Sequence, residues 1–241
     1  MPNKPKPSHL ETQILQTFTS WFDGWLDDRI LATKNFAKID QYKINEFTLI
    51  FQTLALRNKL DVNSIAETLV TIGWAGQSLS TSFGDQLQKK FMIKIPGVNA
   101  SVVKGIDIEY IDFFDKKRKY VQLKTGPLTI NAGDVKPILD EFTSAKRLAR
   151  QNGLIVPDTD FIMGVIYGKR KQINAHYLKI EQAGYDVMVG NDLFEHITGI
   201  PGLADKIMRI AKKLMRSKKP YPHLQKAKRE LAKNPILKNY L

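Results

Sequence analysis

Cysteine is absent from the 241 residues, so neither a disulfide framework nor a thiolate metal site can be built. Histidine is scarce: His9, His176, His196 and His223 are scattered, none at a spacing suited to zinc. Long apolar runs are missing too. The longest, FIMGVIYG from Phe161 to Gly168, is strand-sized and contains glycine, well short of a membrane span. The amino-terminal MPNKPKPSHL is a Lys/Pro tail with no apolar region behind it, so no secretory signal is expected. Acidic residues are outnumbered, 24 against 37 basic, and the net charge of +13 favours a polyanionic partner. No P-loop, dinucleotide-binding glycine pattern or Gly-x-Ser-x-Gly elbow occurs. The expectation is a soluble, cytoplasmic protein with no membrane partner.

What is present is globular in character. A hydrophobic share of 43% with 10% aromatics separates the chain from disordered sequences, and its length suffices for one large domain or a core with an added lobe. From His9 to about Met92, LETQILQTFTSWFDGWLDD, INEFTLIFQTLALRNKL and NSIAETLVTIGWAGQSL repeat apolar residues every three or four positions, the period of helices. Asn45, Asn63 and Ser82 stand where N-caps would, and Trp21, Trp25 and Trp74 are expected in the core. Between Val102 and Leu123 the period changes to two. Ile106, Ile108 and Tyr110 take one side and Asp107 and Glu109 the other; Val121 and Leu123 then alternate with Gln122 and Lys124.

DVKPILDEFTSAKRLARQNG predicts a helix with a proline near its start and Gly153 just past its end. Strand DFIMGVIYG, a polar hairpin around KRKQ, and strands AHYLKI and YDVMVG are expected next. NDLFEHITG predicts a short helix capped by Asn191 or Asp192 and closed by Gly199. ADKIMRIAKKLMRSKK, from Ala204, predicts an amphipathic helix with Ile207, Ile210, Leu214 and Met215 inward. Three regions are anticipated: a helical region over 1–80 packed on the core, a core over 81–203, and a basic helix and tail over 204–241.

Charge is uneven. Residues 205–241 hold 12 Lys/Arg against Asp205 and Glu230, a surplus of ten. With only Tyr221 and Tyr240 as aromatics there, backbone phosphates suit this segment better than stacked bases. Lys212, Lys213, Arg216 and Lys218 are the candidate phosphate contacts; a solvated helix face is the plainer reading. Lys169, Arg170, Lys171 and Asn174, in KRKQIN, have residue types suited to base or phosphate contact.

The two alternating segments carry charge where a buried strand should not. Asp107 on one strand, with Gln122 and Lys124 on the next, can project to the same face. A buried Asp–Lys ion pair recoups its desolvation poorly. A carboxylate that binds a hard divalent cation, beside a lysine that orients an attacking water and stabilises charge growing on phosphorus, uses both groups.

GID at Gly105–Asp107 followed by QLK at Gln122–Lys124 resembles the PD-(D/E)xK nuclease motif. With TSFGDQLQKKFM upstream and KTGPLTIN, FIMGVIYG and YDVMVGNDLFEHITG downstream, the set from about Thr81 to Gly199 is similar to Type II restriction endonucleases that cut interrupted GG–N–CC palindromes. The resemblance implies a mixed central sheet flanked by helices, with a helical amino-terminal region. It implies an Mg²⁺-dependent enzyme acting on double-stranded DNA as a homodimer and leaving 5′-phosphates. Asp107 would bind the metal with the main-chain carbonyl of Leu123, and Lys124 would be the catalytic lysine. Position 122 departs from the motif: Gln122 can ligate through its amide oxygen but brings no charge. Glu109 is one candidate for the missing charge. Gln88 stands where relatives often carry Glu, and Asp85 lies about one turn away. A repair or recombination nuclease of the same superfamily, and a DNA-binding relative without activity, are the alternatives.

Overall fold

The computed structural model describes residues 8–76 and 79–241; the Lys/Pro tail before Ser8, and Gln77 and Ser78 in the third helical pattern, lie outside the described residues. In chain order the helices and strands are α1 (His9–Ala32), α2 (Glu46–Arg57), α3 (Val62–Gly76), α4 (Leu79–Gln86), β1 (Val98–Ala100), β2 (Ile108–Ile111), β3 (Arg118–Lys124), α5 (Ala132–Gln151), β4 (Phe161–Val165), α6 (Ala175–Gln182), β5 (Asp186–Val189), α7 (Asn191–Thr198), α8 (Leu203–Ser217) and α9 (Pro220–Leu231). The chain divides into two compact units, one from Met1–Trp21 with Thr81–Lys212, the other from Phe22–Ser80 with Lys213–Leu241. The segments anticipated as separate ends, 1–80 and 204–241, thus both contribute to the second unit.

The first unit is built on the expected mixed sheet, ordered β1-β2-β3-β4-β5. β1, β2 and β3 are antiparallel neighbours, whereas β3, β4 and β5 run parallel, joined through α5 and α6. Parallel strands need such crossovers, and strands covered on both faces read as unbroken apolar runs. β4 is buried at all five positions. Phe161, Met163 and Val165 join Ile138, Phe142 and Ala145 of α5 and Tyr177 and Ile180 of α6 in one cluster. On the opposite face a Cβ at Gly164 would stand 3.2 Å from Leu193 of α7. The capping box that starts α5 fixes where that helix lies. Asn131 Oδ1 accepts from the Gly133 N–H at 2.8 Å, and the Asn131 N–H donates to Asp134 at 2.7 Å.

Several local expectations are corrected. AHYLKI is helical, not a strand: Asn174 caps α6 by accepting from the His176 N–H, and Tyr177 and Ile180 bury one face at helical spacing. KRKQ forms a 3₁₀ turn rather than a hairpin. The first of the two alternating strands is cut short. Gly105 adopts φ +82°, so β2 starts only at Ile108, and Val98–Ala100 supplies an unforeseen edge strand. Asn63 and Ser82 lie inside helices; Asp61 caps α3 instead, accepting from the Ser64 N–H at 2.8 Å. Gly190, not Asn191 or Asp192, is the N-cap of α7, and the Asn191 amide pairs with Asp205. Gly199 closes α7 in the left-handed region, as anticipated. Met215 is exposed rather than inward, because the buried stripe of α8 is Leu203, Ala204, Ile207 and Ala211.

In the second unit the core is Phe36, Leu49, Ile65, Ala66, Leu69 and Val70 with Ala227, Leu231 and Leu237. The basic carboxyl-terminal segment therefore folds into α9 and a 3₁₀ turn that bury apolar residues. Asn45 caps α2 as expected. The three tryptophans flank core rings rather than being fully enclosed: in the first unit Trp21 stacks on Phe91, and in the second Trp25 stacks on Phe22 and Trp74 meets Phe36 edge-on.

Candidate active site

Strand register sets the site. Ile108 pairs with Val121 and Glu109 with Tyr120, so Asp107 stands opposite Gln122 at the mouth of the β2–β3 pair. The Asp107 N–H donates to the Val121 carbonyl at 2.8 Å, anchoring the residue though it precedes the strand proper. Its carboxylate is held from two sides: Oδ2 accepts from the Leu123 N–H at 2.6 Å and Oδ1 from Gln88 Nε2 at 2.8 Å. Gln88 reaches Asp107 from a π-helical turn, Leu87–Phe91, that continues α4; such turns concentrate at functional sites. Asp85 is elsewhere engaged, paired with Lys89 at 2.5 Å and exposed.

Burial pushes the Asp107 carboxyl above the ordinary aspartate range. The Leu123 and Gln88 hydrogen bonds and the Lys124 charge pull the other way, while the charge of Glu141 adds to the rise. Lys124 ends β3, partly buried. Among the described residues no carboxylate lies within ion-pair distance of its Nζ, so the structural reading of Asp107 and Lys124 as a buried salt bridge does not hold. Glu109 has both oxygens occupied, by Ser101 Oγ at 2.7 Å and by Arg118 at 2.9 Å.

A residue the sequence reading missed completes the cluster. Glu141 of α5 accepts from Gln122 Nε2 at 2.8 Å, and a Cβ on Gly105 would stand 2.5 Å from Glu141 Cβ. Its signal lies in the helix pattern. Ile138, Phe142 and Ala145 form the buried stripe of α5, and a carboxylate adjoining that stripe on the sheet side is unusual enough to mark.

A hard divalent cation takes oxygen ligands, and the donors here suit one. An ionised carboxylate offers about four lone-pair sites, so Asp107 keeps capacity beyond its two hydrogen bonds. Among the described residues nothing hydrogen-bonds the buried Gln122 Oε1, an arrangement that costs free energy unless something occupies it. Among the described residues no group of three or more Asp, Glu, His or Cys gathers at one point; the available set is two carboxylates and an amide oxygen.

The basic candidates divide. Arg170 is committed to Glu181 and the Val187 carbonyl. Asn174 is committed to capping α6 and to the Ile130 carbonyl at 2.8 Å. Lys169 and Lys171 are exposed. On α8, Lys212, Lys213 and Arg216 are exposed, and among the described residues no carboxylate pairs with them. Lys218 is held by Asp23 at 2.8 Å and Asp27 at 2.6 Å. No helix among the described residues is long and apolar enough to cross a membrane.

A family model described as Type II restriction endonuclease EcoO109I matches residues 61–220, about two thirds of the chain. No curated protein matches the chain significantly.

Proposed function

Because the chain belongs to the family of the Type II restriction endonuclease EcoO109I, and so to nucleases acting on double-stranded DNA, we propose that it cuts DNA at a short interrupted palindrome of the GG–N–CC kind. The proposal includes Mg²⁺ dependence and 5′-phosphate ends. The observation that carries it is the juxtaposition of Asp107, fixed by Gln88 and the Leu123 N–H, with Lys124 on the adjoining strand, a cation that no carboxylate pairs among the described residues.

Asp107 and Gln122, with the main-chain carbonyl of Leu123, would hold the cation, which when bound supplies Lewis-acid polarisation of the scissile phosphate. The chain's own groups do the rest. Lys124 Nζ, with no carboxylate partner among the described residues, donates to and orients the attacking water and favours the negative charge that develops on the phosphoryl oxygens. The two donors on Asp107 keep its carboxylate in one orientation, so no rearrangement is required during the reaction. Lys212, Lys213 and Arg216 would neutralise backbone phosphates without reading sequence. A palindromic site would be met by a two-fold homodimer with one site per strand.

Plasmid digestion in Mg²⁺, with sequencing of the ends, tests this reading. Discrete fragments with one recurrent site and 5′-phosphates are expected. A smear, or cutting confined to branched DNA, would make the protein a repair or recombination nuclease. Binding without cleavage would make it a DNA-binding relative without activity.

A further inference from the structure

We propose that Glu141 of α5 supplies the second carboxylate of the divalent-cation site, in place of the acid that Gln122 does not provide; the inference rests on the nuclease reading above. A carboxylate only accepts hydrogen bonds, so the Gln122 amide must turn its NH₂ toward Glu141, as their 2.8 Å hydrogen bond shows. That orientation directs Oε1 away from Glu141, and there it is buried with no hydrogen-bond partner among the described residues. Gln122 thus has two roles at once: it positions Glu141 through its donor and presents its acceptor as a neutral ligand. An Asp or Glu at 122 could not hold Glu141, because like charges would face each other.

The approach of α5 is built into the sequence. Gly105, two residues before Asp107, has φ +82°, and any side chain there would overlap Glu141. The glycine lets the helix bring a carboxylate up to the turn that carries Asp107. Among the described residues no Lys or Arg pairs with Glu141, so its charge is left for a cation. Asp107, Glu141 and the Gln122 amide oxygen make a hard-oxygen set with two carboxylates, of the kind Mg²⁺ accepts.

The test is Mn²⁺ binding to the full chain without DNA, followed by electron paramagnetic resonance, with near-UV circular dichroism as the check on folding. Wild type, Glu141→Gln, Glu109→Gln and the double variant Gln122→Glu/Glu141→Gln are compared. Glu141→Gln is expected to weaken Mn²⁺ binding roughly tenfold or more. Glu109→Gln should leave it within about twofold, and the double variant, which returns the acid to the strand, should recover it. Binding by Glu141→Gln within about twofold of wild type, or a loss seen instead in Glu109→Gln, overturns the inference. If Glu141→Gln loses its native spectrum, the double variant decides: recovered binding supports the proposal and unrecovered binding refutes it. A wild type that binds no Mn²⁺ and cuts no plasmid brings down the nuclease reading as well. A wild type and a Glu141→Gln variant that both bind and cut bring down the role of Glu141 alone.

Discussion

The Leu123 N–H donates to Asp107 Oδ2 at 2.6 Å, so the carboxylate is fixed by the backbone of the same strand that carries Lys124 one residue on. The two side chains nevertheless differ in what the fold asks of them. Asp107 satisfies a backbone donor and the Gln88 amide, whereas Lys124 has no carboxylate partner among the described residues. Asp107→Ala should abolish cleavage and also lower stability by about 1–3 kcal/mol, since it leaves a partly buried N–H without an acceptor. Lys124→Ala should abolish cleavage with an unfolding midpoint close to that of wild type. Denaturant unfolding beside plasmid digestion checks the contrast. Retained cleavage in either variant would move the reacting centre elsewhere.

Gly105 and Gly97 give a paired comparison. Both have positive φ, +82° and +86°, but a Cβ at 105 would meet Glu141 at 2.5 Å while one at 97 meets nothing within 4 Å among the described residues. Alanine at either position should cost about 1–2 kcal/mol for the left-handed backbone. Only Gly105→Ala should also displace α5 from Asp107 and depress cleavage. Thermal melts with initial rates of cleavage distinguish them, and equal rates in both variants would remove any functional role from the approach of Glu141.

The motif strands, the long helix after them and the glycine closing α7 were legible in the sequence because period and turn chemistry agree there. AHYLKI was not. Its six residues fit a strand or a helix equally well until the Asn174 cap and the burial of Tyr177 and Ile180 decide. Asp107 and Lys124 were legible as charged residues in alternating strands. Glu141 was legible only as a carboxylate beside the buried stripe of α5; that α5 lies over Gln122 follows from the parallel β3–β4 crossover. For the same reason, Arg170 and Asn174 looked available for DNA. Their partners, Glu181 and the Ile130 carbonyl, are remote in sequence or direction from the KRKQIN stretch.

Asp61 links the second unit to pH. Lys59 first, then the Ser64 N–H, hold its carboxyl down at about 2. A lowered value means that the ionised form is favoured by folding, so its contribution is complete above the ordinary aspartate range. It is lost as pH falls from about 4 toward 2. Asp61→Ala should therefore unfold more easily than wild type at neutral pH, with a gap that closes across that acid window. Unfolding midpoints at a series of pH values measure it. A gap independent of pH would mean that neither Lys59 nor the α3 cap depends on the carboxylate charge.

The exposed cations of α8 are expected to meet phosphate rather than bases, and the ion-pair pattern says which of them. Lys212, Lys213 and Arg216 have no carboxylate partner among the described residues and are exposed, whereas Lys218 already faces Asp23 and Asp27. Removing one cation that neutralises a phosphate should reduce the slope of log K against log salt by about 0.9. Replacing the three free cations by Gln should then flatten that slope by about 2.7 if each meets one phosphate. Affinity should fall by similar factors for cognate and random duplexes, and the position of cleavage should not change, because binding to the phosphate backbone carries no sequence information. Lys218→Gln should leave the slope where it was, since its charge is spent within the protein. Binding titrations at several salt concentrations decide this, with sedimentation of the free protein alongside. A triple variant that turns from dimer to monomer and loses cleavage even at low salt would assign the face to subunit contact. An unchanged slope would remove phosphate binding from α8.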